Sequence, residues 1–137
     1  IIANSDQYIN WNSSKAFYNF NSKNLDGAIL TFEAIHPKWS YAKCNKEGFV
    51  TEVAEKKVIS KNATVGVYYW KHGSDYVESA EEMIKKNIRV NNEFYVCPVY
   101  NEFLLKNKKI KIHKVDKMWG LGTPEDLNNF IQKMKFD

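Results

Sequence analysis

The chain has 137 residues, 44% hydrophobic and 26% charged, with a formal net charge of +4. That length fits about one domain with enough apolar residues for a real core, and the composition is that of an ordinary globular protein. A charge this mild, with lysines spread along the chain apart from one dense run, is weak evidence for nucleic-acid binding, and no nucleic-acid partner is expected.

The chain opens on Ile1–Gln7, IIANSDQ, where apolar residues run into Asn4-Ser5-Asp6-Gln7 with no turn residue between. This is the pattern of a buried parallel strand delivering polar groups at its carboxyl end, where ligands bind in open α/β sheets. Asp6 then either sits at the rim of a site, where its carboxylate could hold a hard cation such as Mg²⁺, or caps the helix that follows. The chain starts at Ile1 rather than Met and inside a strand-like run, so further sequence upstream is expected.

Ser13-Ser14 predict a helix start, with Phe17 and Phe20 on one face. Asn24 to Gly27 is a turn, and Ala28 to Ala34 (AILTFEA) reads as a strand. His36-Pro37-Lys38 breaks it, since the residue before proline is driven away from helix. Trp39 to Cys44 and Phe49 to Ala54 read as a hairpin around Asn45-Lys46-Glu47-Gly48. Thr64 to Trp70 is strongly extended. A helix is predicted from Ser74, with Tyr76-Val77, Ala80 and Met83-Ile84 three to four apart. Asn91-Asn92 separate it from a second helix, Glu93 to Leu105, interrupted or kinked at Pro98. Lys109 to Val115 alternates as an edge strand, within a Lys106–Lys114 run whose charges suit a solvated edge. Thr123-Pro124-Glu125-Asp126 is a strong helix start, and the last helix is predicted to run to about Lys135. The order is that of an α/β domain with an antiparallel excursion.

Cys44 and Cys97 lack metal-site spacing and form no CxxC pair, so they read as reduced, cytoplasmic thiols. His36, His72 and His113 are scattered, and no zinc site is expected. No apolar run reaches a membrane-spanning length and no signal peptide is visible. A cytoplasmic protein without membrane insertion is the expectation.

Two other segments can carry chemistry. Ala54-Glu55-Lys56-Lys57 follows one strand and precedes another. Its acid and base can bind a polar ligand, Glu accepting hydroxyl hydrogens and Lys meeting a phosphate, or form an exposed charged turn. In Met118–Asp126, MWGLGTPED, two glycines beside an aromatic open a helix. They either allow close backbone approach to a ligand, helped by an anion-favouring helix N-terminus, or simply make a tight turn packed by Trp119.

These segments occur in a fixed order: IANSDQ, DGAILTFEA, HPKWSYAKCNKEGFVTEVAEKK, TVGVYYW, NNEFYV and WGLGTPEDL. As a set they resemble the carboxyl-terminal part of a sugar-phosphate nucleotidyltransferase, or nucleotide-sugar pyrophosphorylase. The resemblance implies a glycosyltransferase-A-like (Rossmann-like) mixed sheet flanked by helices and incomplete at its N-terminus, with residues 1–137 forming the later part of one domain. It also implies transfer of a nucleotidyl group from a nucleoside triphosphate to a sugar 1-phosphate or similar phosphorylated acceptor, releasing pyrophosphate, with Mg²⁺ as cofactor and surface-polysaccharide synthesis as setting. By position, Asp6 matches the metal-binding aspartate, Lys56 the lysine on the acceptor phosphate and Glu55 the glutamate on sugar hydroxyls. Asn4, Gln7, Trp39, Ser40 and Gly66 fall in the sugar pocket, and Asn92 and Glu93 on its edge.

Two departures follow from the same resemblance. The glycine-rich triphosphate cradle is not among these residues, so residues 1–137 alone are expected to turn over little. Gly120 stands where many members carry a second metal-binding aspartate. A non-catalytic sugar-phosphate-binding or regulatory domain is therefore the alternative. A nucleotide-sugar-dependent glycosyltransferase is the third reading, for which the usual DxD motif is missing from Asn4–Gln7.

Overall fold

A computed structural model of the chain describes residues 1–134. Among them the elements run β1 (Ile2–Ala3), β2 (Gln7–Asn10), α1 (Ser13–Ser22), β3 (Gly27–Glu33), β4 (Tyr41–Cys44), β5 (Val50–Ala54), β6 (Asn62–Trp70), α2 (Gly73–Lys85), α3 (Val99–Leu104), β7 (Ile110–Lys114), β8 (Lys117–Gly120) and α4 (Pro124–Met134). The predicted end of the last helix at Lys135 lies outside the described residues.

The main sheet has the order β5-β4-β6-β3-β7, with β1 also pairing to β6; β2 and β8 form a separate two-stranded sheet. Only β3 and β7 run parallel, Gly27 to Thr31 alongside Ile110 to Lys114. This is the expected mixed sheet flanked by helices, mostly antiparallel, with β7 at the edge as predicted.

Alternation along β3 explains the layering. Successive side chains in a strand point to opposite faces. Ile29 joins Tyr68, Trp70, Tyr100 and Phe103 on the face covered by α2 and α3, while Ala28 and Leu30 join Ala16, Phe20 and Val65 on the face covered by α1. Trp70 stacks on Tyr100 with ring centroids 4.2 Å apart.

The central feature is the divided edge of β6. One side pairs with β3 along its length. The other is shared: β1 pairs at one end (Ile2 with Tyr68, Ala3 with Val67) and β4 at the other (Tyr41 with Ala63). Between them, β6 advances from Thr64 to Tyr68 while β3 advances only from Ile29 to Thr31. This bulge is centred on Gly66, whose φ is +77°, a conformation glycine adopts at no steric cost. Bulges re-aim side chains and are over-represented beside active sites.

Three sequence expectations are corrected. The opening segment is not a buried parallel strand: β1 runs antiparallel to β6, and Ile1 is 67% exposed. An apolar run fixes neither the direction nor the identity of its neighbour. Residues 93–97 are not helical. Val90 and Glu93 instead exchange backbone hydrogen bonds across Asn91 and Asn92, both left-handed (φ 48° and 67°). Pro98 caps α3 rather than kinking a longer helix, because proline lacks the N–H a helix interior needs. Finally, α1 is capped by Asn12, whose side chain accepts a hydrogen bond from the Lys15 N–H (2.9 Å), and Ser13-Ser14 lie inside the first turn.

Candidate active site

Where β1 and β4 part along β6, the sheet opens into a cavity of about 420 Å³. Its floor is Thr64, Val65 and Gly66; Ser40, Glu55 and Lys56 form one wall, and Phe94 to Cys97 another. A second cavity of about 300 Å³ adjoins it, lined by Asp6, Gly120, Gly122, Thr123 and Asp126. Asn4, Gln7, Lys38 and Trp39 line both, so the two form one groove with two ends.

The opening segment is placed by two glycines. The Asn4 N–H donates to the Gly66 carbonyl (2.8 Å). Its side chain lies over Gly66, where a β-carbon would stand 2.2 Å from the amide nitrogen. Asp6 is set by the β2–β8 ribbon. Gln7 pairs with Gly120, the Leu121 N–H donates to the Asp6 carbonyl (2.8 Å), and the carboxylate lies against Gly122, 2.6 Å from where a β-carbon would be. The close approach foreseen for the two glycines is thus made, at Gly122, by Asp6 itself. Gly120 is different: its φ is not left-handed, and a β-carbon there would meet Trp39 at 3.5 Å and the Asp126 carboxylate at 3.8 Å, both ordinary contacts.

At the other end of the groove, Glu55 and Lys56 line the same cavity, although adjacent residues of an extended strand face opposite ways. The reason is backbone: Lys56 sits just beyond β5 with φ of +53°, which breaks the alternation. Ser40 donates to Glu55. Burial pushes the Glu55 carboxyl above its ordinary range, against the opposing pull of the Ser40 hydroxyl and the Lys56 charge. Lys56 donates to the Tyr95 hydroxyl (2.6 Å), and that bond is the main cause holding its ammonium above the ordinary lysine value. Burial pushes the Cys97 thiol up, so it stays protonated at the cavity wall.

The structure therefore gathers Asn4, Gln7, Trp39, Ser40, Glu55, Lys56 and Gly66 around the larger cavity, and Asp6 and Gly120 around the smaller. Asn92 and Glu93 are exposed and line neither; Glu93 instead accepts a hydrogen bond from Tyr95. Sequence reading missed Lys38, Tyr95 and Asp126. Asp126 presented itself only as an acid in a helix's first turn, a role it does fill: its N–H donates to the Thr123 hydroxyl (3.1 Å), which in turn donates to its carboxylate (2.9 Å). Lys38 lies 3.9 Å from Asp126 and over the Trp39 ring. No spacing in the sequence links it to Asp126.

No family model and no curated protein matches the sequence. Among solved structures, the chain is similar to the nucleoside-diphosphate-sugar pyrophosphorylase of Vibrio cholerae, with 27% identity and a TM-score of 0.75 over 82% of this chain and 48% of that one. It is also similar to a proposed glucose-1-phosphate thymidylyltransferase from Bacillus anthracis, solved with sucrose, at 16% identity and a TM-score of 0.66 over 90% of this chain and 49% of that one. The second likeness is one of fold alone. The fold is thus similar to those of sugar nucleotidyltransferases, and the chain spans about half the length of both structures. Among the described residues no helix is long and apolar enough to cross a membrane.

Proposed function

We propose that this chain forms the acceptor-binding part of a nucleotidyltransferase. In that reading, a phosphate oxygen of a sugar 1-phosphate, or of a similar phosphorylated acceptor, attacks the α-phosphorus of a nucleoside triphosphate; the new P–O bond gives an NDP-sugar as pyrophosphate leaves. The observation that carries it is that Glu55 and Lys56, neighbours in the bend just past β5, both line one cavity. Glu55 offers lone pairs to sugar hydroxyls, and Lys56 offers ammonium N–H groups to the phosphate. Asn4, Gln7, Trp39 and Ser40 would shape the pocket over Gly66.

Mg²⁺ fits the residues of the smaller cavity by donor chemistry. Asp6 and Asp126 are carboxylates lining it, with the side-chain amides of Asn4 and Gln7 beside them, and Mg²⁺ prefers oxygen ligands. Gly120 contributes none. Among the described residues no cluster of three or more acids, histidines or cysteines is found, so an ion there would need substrate oxygens and water to complete its shell. Bound there, the ion would neutralise phosphate charge. Asn92 and Glu93 belong to the edge loop that carries Tyr95. The reading places the protein in the cytoplasm, on the strength of its two free cysteines, and the resembled family suggests a supply of surface-polysaccharide precursors.

The test is pyrophosphate release by the intact gene product with a panel of nucleoside triphosphates and sugar phosphates, with and without Mg²⁺. Lys56→Ala should weaken the phosphorylated acceptor about tenfold to a hundredfold, the value of a charge-assisted hydrogen bond, and the nucleotide far less. Equal loss for both ligands, or none, returns Lys56 to a surface charge. Binding of sugar phosphate without pyrophosphate release would favour the non-catalytic domain, the reading that the missing ligand at Gly120 supports.

A further inference from the structure

The Lys56 side chain is exposed, yet it is held by one neighbour, Tyr95. Its ammonium donates to the Tyr95 hydroxyl at 2.6 Å and lies 4.7 Å above the Tyr95 ring. The hydroxyl is itself committed, since it donates to the Glu93 carboxylate. A hydroxyl has one hydrogen and two lone pairs. With its hydrogen directed to Glu93, it presents a lone pair to Lys56. A free lysine samples many rotamers, so an ordered ammonium at a surface calls for a reason.

The backbone supports the same arrangement from both sides. Lys56 adopts a left-handed φ of +53°, a sparsely populated conformation for a residue with a side chain. The segment bearing Glu93 and Tyr95 is a tight hairpin over the left-handed pair Asn91 and Asn92. Arg89 clamps it, donating to the Asn92 carbonyl (3.0 Å) and the Asn87 side chain (2.7 Å), with its guanidinium 3.9 Å from the Phe94 ring. Phe94 and Tyr95 then turn into the cavity wall.

We propose that Tyr95 is a positioning residue: oriented by Glu93, its hydroxyl and ring hold the Lys56 ammonium at the cavity mouth, so that the two remaining N–H groups meet the phosphate of the acceptor. An ammonium has three donors, and among the described residues Tyr95 takes one. The two donors and the positive charge suit the anionic oxygens of a phosphate monoester, whereas a neutral sugar offers only weaker, uncharged acceptors. Tyr95 thereby tunes preference for the phosphorylated acceptor without touching it. The inference rests on the reading of the larger cavity as the acceptor site.

The test follows the Lys56 ammonium signal by nitrogen-15 NMR while glucose 1-phosphate is titrated. In the unaltered protein the signal should shift. Tyr95→Phe keeps the ring and removes the hydroxyl, and should weaken binding about threefold to tenfold, the worth of one hydrogen bond. In a Lys56→Ala background the same change should have no further effect. Glu93→Ala, which leaves the hydroxyl unoriented, should weaken binding in the same direction and supplies the answer if Tyr95→Phe disturbs the amide spectrum. Unchanged affinity in Tyr95→Phe, or an equal loss with Lys56 already removed, overturns the inference and leaves the acceptor reading intact. No shift at Lys56 in the unaltered protein overturns the reading and the inference together.

Discussion

Asp6 and Gly122 meet from opposite ends of the chain: the Asp6 carboxylate lies 2.6 Å from the point where a β-carbon on Gly122 would stand. The contact exists because β2 and β8 pair, bringing Gln7 beside Gly120. Gly122 is required by its neighbour, not by its backbone, since its φ is not left-handed. Gly122→Ala should therefore displace the flexible Asp6 side chain and leave the fold standing. The expected outcome is a melting temperature near that of the unaltered protein, with weaker binding of Mn²⁺, a paramagnetic substitute for Mg²⁺, read by electron paramagnetic resonance. Undiminished Mn²⁺ affinity would show that Asp6 is not a ligand.

Gly66 makes the opposite prediction. It has both a left-handed φ of +77° and the Asn4 side chain where a β-carbon would go. Gly66→Ala should destabilise the protein by about 1–3 kcal/mol through backbone strain alone, with the clash added. Adding Asn4→Ala should recover only the clash. Denaturant melts of the single and double variants separate the two contributions; full recovery in the double variant would mean that strain at Gly66 is negligible.

Asp6→Asn keeps the side chain's shape and drops its charge. Pyrophosphate release by the intact gene product should be lost while the circular dichroism spectrum is kept. Gly120→Asp is sterically open, as its nearest contacts would be 3.5 and 3.8 Å, but it places a new carboxylate beside Asp126. Like charges this close repel unless a cation lies between them. The variant should melt lower than the unaltered protein without Mg²⁺ and gain more on adding it. An identical Mg²⁺ response in both would remove Gly120 from the metal's surroundings.

Glu55 predicts a pH dependence. Burial raises its carboxyl above the ordinary value of 4.5, so the folded state holds this proton more tightly than the unfolded one. The contribution is fully present below the unfolded value and is lost as pH rises through the raised folded value. Glu55→Gln should flatten that part of the stability curve, measured by urea melts from pH 4 upward in steps of about half a unit across the glutamate range. Binding of glucose 1-phosphate should strengthen over the same interval as the carboxylate forms and begins to accept sugar hydroxyls. A curve unchanged by Glu55→Gln would place the carboxyl in solvent.

The sequence by itself determined the elements whose signals are local. The hairpin around Asn45–Gly48 was legible because Gly48 has a left-handed φ of +82° and the Asn45 side chain accepts from the Glu47 and Phe49 N–H groups, both properties of the turn residues themselves. The start of α4 was legible because Thr123 and Asp126 cap it across three positions. The ordered motifs also pointed to the fold. Only the tertiary structure decided the direction of β1, the pairing of β2 with β8, the divided edge of β6 and the entry of Lys38, Tyr95 and Asp126 into the groove. Each depends on which distant segment lies alongside, and hydrophobic periodicity carries no record of the partner. The helix expected over Glu93–Leu105 failed for the same reason. Its residues tolerate a helix locally, but the left-handed Asn91-Asn92 turn, the Arg89 clamp and the cavity wall keep residues 93–97 out of helix.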